Sequence, residues 1–544
     1  MGYVDTFKNS FALDVLEALN IVKINEYVNA IDYNSYQNSV KENVDLEVAS
    51  QSSSNTSGSI SQKEDPNEVV EEEEKDPFLV DWNGDDDVDH PYNWSTGKKT
   101  LMIIQIMLLT TVTYMGSSIY TPGQEYIQKE FGVGHVAATL NLSLYVLGYG
   151  IGPVFLSPLS EFALLGRQQI YIITLFLFTI FQIGAATVNT FGGLVVIRFI
   201  SGFLCSPALA TGGGSVADIV KPELVPVFIG LWSVGAVAAP VLAPLLGATM
   251  VVAEDWRWIF WLLCWVCTAA LILFIFFFPE THHGNILHRR AKRLRAITGD
   301  DRYYTKQVRI EKKLDKKEFI ITALYKPIKI IMQEPIVLAF NSYLALCYGV
   351  FYLFFEAFPL VFVGIYDFSL IEVGLAYMGF QVGCVISYPI FLVFMAKYLA
   401  PKFKNNTFKP EDFLVLAMGV CWALPLSIFL FGWTAGVHWI LPIISEIFFV
   451  INTFNLFQVT FAYFAVCYPE HLASVFAGNS LFRAGFACAF PLFGQTMYQN
   501  LATKNYPVAW GSTILGFISI AMGTIPFFIY KYGPLLRSKS RYSA

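Results

Sequence analysis

This chain has little charge: only 14% of its 544 residues are Asp, Glu, Lys or Arg. A soluble globular chain carries about 25%, so the low value argues against a water-facing exterior over most of the molecule. Cysteine is also sparse, with eight residues, all within or at the edges of apolar stretches. Cys264 and Cys267 have C-x-x-C spacing, but no second Cys or His pair accompanies them. No metal site, cofactor or disulfide framework is therefore expected, and these cysteines read as small buried apolar residues. The P-loop pattern is missing, which argues against ATP as an energy source. Neither H-E-x-x-H nor G-x-S-x-G occurs, so an intramembrane enzyme is disfavoured. No basic, aromatic-interleaved face suggests nucleic acid. The N-terminus lacks the basic start and apolar core of a cleavable signal peptide.

What is present is apolar. Hydrophobic residues make up 55% of the chain, aromatics 16%, and the mean hydropathy is +0.51. Runs long enough to cross a bilayer fall near 101–121, 136–156, 169–189, 192–215, 225–250, 257–278, 335–358, 370–396, 412–433, 438–466, 473–497 and 508–531. The expectation is an all-α membrane protein of twelve spanning helices in two six-helix pseudo-repeats. Residues 1–97 form an acidic, largely disordered tail, 98–279 the first half, 280–334 a basic central loop, 335–531 the second half and 532–544 a C-terminal tail. Within the tail, the stretch 11–24 has helical apolar spacing, 51–62 is low-complexity, and Glu71–Glu74 opens an acidic run. APLLG (243–247) in the fifth span and FPLFG (490–494) in the eleventh are a faint repeat at equivalent positions.

Basic residues set the orientation. Arg289, Arg290, Lys292, Arg293 and Arg295 crowd the central loop, Lys397, Lys402, Lys404 and Lys409 the eighth-to-ninth loop, and Arg537, Lys539 and Arg541 the C-terminus. The opposite loops carry almost none. Both termini are therefore expected in the cytoplasm.

A few polar residues interrupt the apolar runs. Arg198 lies inside the fourth span, where a charge costs roughly 2.5–3.5 kcal/mol on insertion scales. Two roles are open to it: an anchor on backbone carbonyls, or a gate on proton movement through a neighbouring carboxyl group. Glu161, Arg167 and Asp218 fall at one end of the second to fourth spans and can form an ion cluster, or serve as orientation charges alone. Gly230, Gly235, Pro240, Pro244 and Gly247 give the fifth span close packing and a bend, expected at a half-to-half seal. Asn141, Tyr145 and Tyr149 in the second span, with Asn341, Tyr348, Tyr352 and Phe355 in the seventh, form stripes suited to amphiphilic, aromatic ligands or to plain aromatic packing. Glu446 in the tenth span is a candidate proton carrier, unless it reaches the surface as Glu356 also could. Arg483 in the eleventh span requires a partner.

SPLSEFALLGR (157–167), RFISG (198–202), the fifth-span GLWSVGAVAAPVLAPLLG (230–247), PET (279–281) and DWNGDDDVDHPYNW (81–94) together resemble the major facilitator superfamily, specifically the fungal twelve-span drug:proton antiporters. Four residues separate Glu161 from Gly166-Arg167 where the family pattern has two, and Ala239 and Ala243 precede the two prolines where glycine is usual. The resemblance covers roughly 78–540. It implies a monomeric plasma-membrane exporter of azoles, benzimidazoles and other unrelated toxic compounds, exchanging them for protons by alternating access. A carrier for a dedicated substrate such as a polyamine, and a membrane sensor that binds without transporting, are the alternatives. A polyamine carrier would present several carboxylates to its cavity, and only Glu446 and Glu356 are candidates.

Overall fold

The computed structural model describes residues 76–542 apart from 77, 85, 314, 315 and 505, together with 10–12 and 15. Residues 51–62, 71–74 and most of 11–24 lie outside the described residues; Phe11, Ala12 and Val15 are helical.

Helices dominate because a chain in lipid must satisfy every backbone N–H and C=O within itself. Among the described residues, ten helices are long and apolar enough to cross a membrane: α2 (His135–Glu161), α3 (Gly166–Thr187), α4 (Phe191–Ile219), α5 (Val225–Ala253), α6 (Trp258–Phe277), α7 (Pro335–Val363), α8 (Leu370–Lys404), α9 (Pro410–Thr434), α10 (Ile440–Cys467) and α12 (Ala509–Ser538). Two more complete the bundle among the described residues: α1 (Thr96–Met115) and α11 (Leu472–Leu501). These two are less apolar for a physical reason. The lysines of α1, Lys98 and Lys99, sit in its first turn. Gly478, Asn479 and Gly494 of α11 face protein, where α11 packs against α7 and α2. Lipid-facing positions are instead large and apolar, such as Ile173, Phe176 and Ile180 on α3 and Trp265, Ile272 and Phe276 on α6.

The packing partners fall into two sets. In the first, α2 lies on α4, α3 on α6, and α1 on α4 and α5. In the second, α7 lies on α11, α8 on α10, and α9 on α10 and α12. The sets meet where α2 packs on α11 and α5 on α8. Gly150 of α2 shows how tightly: a Cβ there would collide with Ala484 of α11.

Between α6 and α7 the chain forms three further helices, His283–Thr298, Lys306–Glu311 and Lys316–Gln333. The acidic segment before α1 docks on the first of them. Asp87 grips Arg290 through Oδ2–Nη1 (2.8 Å) and Oδ1–Nη2 (3.0 Å), and Asp89 adds a contact at 3.0 Å. Trp82, His90, Tyr92 and His283 stack beside this pair. Val80 donates to the Tyr304 carbonyl, and Tyr304 to that of Phe78. At the other end of the chain, Ser540 donates to Glu334 and Tyr542 to Gln333. The segment before α1, the central helices and the chain's end thus share one face, here termed the terminal face.

Burial opposes ionisation of Asp87, but Arg290 and two backbone N–H donors outweigh it and hold the carboxyl below its ordinary range. A depressed carboxyl contributes stability above its unfolded value, about 3.9, and loses it as pH falls through the folded value. The docking is therefore intact at neutral pH. Arg290→Ala leaves a buried, uncompensated carboxylate at a cost of about 3–5 kcal/mol. It is expected to expose residues 78–90 to protease, read as faster limited proteolysis of the solubilised protein; Asp87→Asn should do so less.

Candidate functional site

The terminal ends of α3, α4 and α6 form one polar cluster. Arg167, at the start of α3, holds Asp218, near the end of α4, through Nε–Oδ2 (2.5 Å) and Nη2–Oδ1 (3.4 Å). Glu161 was expected to join them. Its carboxylate makes no ion pair among the described residues and lines a neighbouring cleft, but it lies close enough to feel the charges of Arg167 and Asp218.

The acid that completes the cluster is Glu280, fully buried just past α6. Its Oε1 accepts from the backbone N–H of Arg167 (3.1 Å), Thr281 (2.9 Å) and His282 (2.9 Å), and its Oε2 from that of Gln168 (3.2 Å). A helix start exposes unpaired N–H groups and a partial positive charge, so a carboxylate is the natural occupant. Gly166 has φ +74°, and a Cβ there would collide with Glu280, so glycine is required twice over. Burial pushes the Glu280 carboxyl up, while Arg289 and the backbone donors pull the other way without cancelling it. Burial, and then Arg167, push His282 down to about 4. His282 is therefore neutral near pH 7, and its Nδ1 accepts from the Asn285 N–H.

Arg198 sits at the opposite end of α4 and is 1% exposed. Its guanidinium donates to the carbonyls of Gly116 (2.7 Å), Ser117 (3.1 Å) and Asn141 (3.1 Å). The first two directly follow α1, whose final carbonyls lack helical partners. Tyr145 lies under the guanidinium, 4.4 Å from it, and donates to the Thr113 carbonyl at 2.6 Å. No carboxylate pairs with Arg198 among the described residues. The geometry is that of a pin joining α1, α2 and α4.

The residues expected to bind ligand divide into two groups. Tyr149, Tyr348 and Tyr352 do meet, at the seam between the halves. Tyr149 donates to Tyr352 (3.2 Å), and Tyr114 of α1 bonds Tyr348 and accepts from Tyr352 (3.4 Å). Arg483 of α11, whose partner the sequence left open, lies over the rings of Tyr348 and Phe457. Asn141, Tyr145, Asn341 and Phe355 are instead spent inside their own halves. Asn141 donates to Tyr120 and to the Ala138 carbonyl, Asn341 accepts from Asn479, and Phe355 packs on Phe351 and Tyr377. Helical spacing places a side chain on a stripe but does not say which neighbour covers it.

The fifth-span motif is likewise divided. Gly230 faces Tyr388 of α8, across the seam. Gly235 faces Met107 of α1, Gly247 faces the Ile119 carbonyl, and the Pro240 carbonyl accepts from Ser118. These contacts lie within the first half, so only part of the motif seals the halves. Pro244 is buried. Glu446 does not reach the surface: it is fully buried, and its Oε2 accepts from the Phe380 N–H (2.9 Å).

On either side of the tyrosines the seam differs. Away from the terminal face, His135 Nε2 lies 2.7 Å from Glu356 Oε2, joining α2 to α7. On the terminal face, a cleft of about 630 Å³ opens between α2, α11 and the central helices, lined by Pro153, Ser157, Glu161, Gln307, Lys326 and Ser474 among others. That volume suits a drug-sized molecule. Sequence reasoning had missed His135, Tyr114 and the role of Glu280. An acid directly after the sixth span, ahead of the basic run from Arg289 to Arg295, was the available signal for Glu280; nothing marked His135.

A bundle of two helical halves, joined by a polar seam and open on one face, defines a membrane carrier architecture. The Major Facilitator Superfamily family model matches residues 106–491, and the chain belongs to that superfamily. It is 59% identical to "Fluconazole resistance protein 1" of Saccharomyces cerevisiae over the full length of both chains. It is 62% identical to "Multidrug transporter FLR2" of Candida glabrata over 87% of this chain and 80% of that one. In fold it is similar to the xylose transporter XylE from E. coli in a partially occluded inward-open conformation. The TM-score is 0.56 at 14% identity, covering 80% of this chain and 98% of that one.

Proposed function

We propose that this chain exports structurally unrelated drugs, azoles and benzimidazoles among them, across the plasma membrane in exchange for protons. The terminal face is then cytoplasmic, in keeping with its basic residues. The observation that carries the reading is the asymmetry of the seam: a drug-sized cleft on the terminal face, and hydrogen bonds from His135 and Thr139 to Glu356 joining the halves at the other. Rocking the halves about the tyrosines would exchange which face is open. Tyr149, Tyr348, Tyr352 and Tyr114 offer rings and adaptable hydroxyls, which tolerate ligands of different shape. Names of relatives such as fluconazole resistance protein and multidrug transporter support the same reading. The Arg167–Asp218 pair and the Glu280 clamp stiffen the terminal ends that must move as one body. Each unit charge moved is worth about 2.3 kcal/mol per 100 mV of membrane potential.

The test is efflux of labelled fluconazole from cells expressing the chain, with and without a protonophore. Efflux is expected to collapse when the gradient is removed. Efflux that survives the protonophore would replace the antiporter with a passive facilitator. No efflux of several unrelated drugs would favour a dedicated carrier or a sensor.

A further inference from the structure

We propose that Glu356 is the carboxyl group that carries the exchanged proton, and that its bond to His135 is the latch closing the face opposite the cleft. The inference rests on the proton-exchange reading above. Glu356 is 5% exposed and lies on α7, the central helix of the second half. Both of its side-chain partners belong to the other half: His135 Nε2 at 2.7 Å, and Thr139 Oγ1, which donates to Oε1 at 3.3 Å. The partners are themselves held. Gln124 donates to Thr139 Oγ1 (2.9 Å), and Gln128 Nε2 lies 3.4 Å from His135 Nδ1. With Gln128 donating to Nδ1, the ring hydrogen sits on Nε2 and is donated to the carboxylate. Glu446, the other candidate proton carrier, bonds within its own half, to the Phe380 N–H, so its charge is not tied to how the halves sit.

The charged and titratable groups around Glu356 are few. Tyr120, beyond α1, and Tyr377, on α8, feel its charge. Arg198 stands behind Tyr120, and Glu446 behind Tyr377. On α11, Gly494 comes close. Among the described residues, His135 alone forms an ion pair with it.

The proton balance follows. With the opposite face open, the Glu356 carboxylate meets that medium and takes a proton. The neutral acid is then buried at lower cost than the charged form. As the face closes, His135 and Thr139 donate to the two oxygens, and the proton leaves toward the cleft. Tyr352 lies one turn nearer the terminal face on α7, and with Tyr149 and Tyr114 it begins a hydroxyl chain in that direction. Reopening the opposite face requires breaking the His135–Glu356 bond, which couples proton state to conformation.

The experiment uses the purified full chain in proteoliposomes, with labelled fluconazole. Two quantities are read: uphill accumulation driven by a pH difference, and drug-for-drug exchange without one. One exchanged proton supports about tenfold accumulation per pH unit. Wild type is expected to approach this, whereas Glu356→Gln is expected to lose accumulation and keep exchange. Glu356→Asp is expected to recover part of the accumulation. His135→Gln, which keeps a donor, is expected to retain part of the accumulation, whereas His135→Ala, which leaves Oε2 without its 2.7 Å partner, is expected to lose most of it and keep exchange. Glu356→Gln accumulating drug like wild type would overturn the inference. So would a folded Glu356→Gln that loses exchange as well, or a His135→Ala that accumulates drug like wild type. If Glu356→Gln does not fold, the Asp and His135 variants decide. Wild type that exchanges drug without responding to the pH difference would instead refute the proton-exchange reading, and this assignment with it.

Discussion

Arg198→Ala is expected to abolish drug efflux and to destabilise the first half. The substitution removes all three guanidinium bonds to Gly116, Ser117 and Asn141 at once. The Asn141 carbonyl lies within α2, but those of Gly116 and Ser117 follow the end of α1 and lose their capping cation. Two buried carbonyls left unsatisfied cost about 1–3 kcal/mol each, and the ring of Tyr145 loses the cation above it. The Tyr114 hydroxyl at the seam is on the same α1 that Arg198 pins, so its position shifts with the pin. Arg198→Lys separates charge from geometry. A lysine keeps the cation but not the planar fork that serves three acceptors, so partial efflux is expected. Efflux per molecule at the cell surface, together with thermal unfolding in detergent, checks both. Wild-type efflux from the alanine variant would remove Arg198 from the mechanism.

Glu280→Ala is expected to have the second-largest effect, through folding before transport. The carboxylate serves four backbone N–H groups, two of them at the buried start of α3. Orphaning those two alone costs about 1–3 kcal/mol each. The loss also removes what holds Gly166 and Arg167 in place beside Asp218, so the ion pair loosens with the clamp. Glu280→Gln is the informative comparison. A single amide oxygen can still accept from Arg167, Thr281 and His282, but the NH2 group then faces the Gln168 N–H as donor against donor. Intermediate stability is expected, measured as the unfolding temperature of the solubilised protein and its amount at the membrane. Equal stability of the alanine variant and wild type would show that the clamp is dispensable.

Much of this molecule was legible along the chain. The helices were, because a span must be long and apolar to live in lipid, and that is a local property of about 20 residues. Arg198 was singled out on the same ground, since a charge among apolar residues is conspicuous in one dimension. Its partners were not. The two roles open to it differ only in whether carbonyls or a carboxyl group surround the guanidinium, and the carbonyls come from α1 and α2. Glu161 and Glu280 illustrate the same limit. Both are acids beside the Gly166-Arg167 turn in space, yet the nearer one in sequence only feels the charges of Arg167 and Asp218, while the distant one bonds the start of α3 directly.

The sequence by itself determined the helical bundle, the terminal face crowded with basic residues, and the rarity of buried charge, since hydropathy and charge act residue by residue. Only the tertiary structure decided which polar groups meet. His135 and Glu356 are 221 residues apart, Asp87 and Arg290 are 203, and Arg167 and Glu280 are 113. A hydrogen bond depends on how two helices are rotated and offset against each other, and that follows from packing across the whole bundle rather than from the periodicity of either helix.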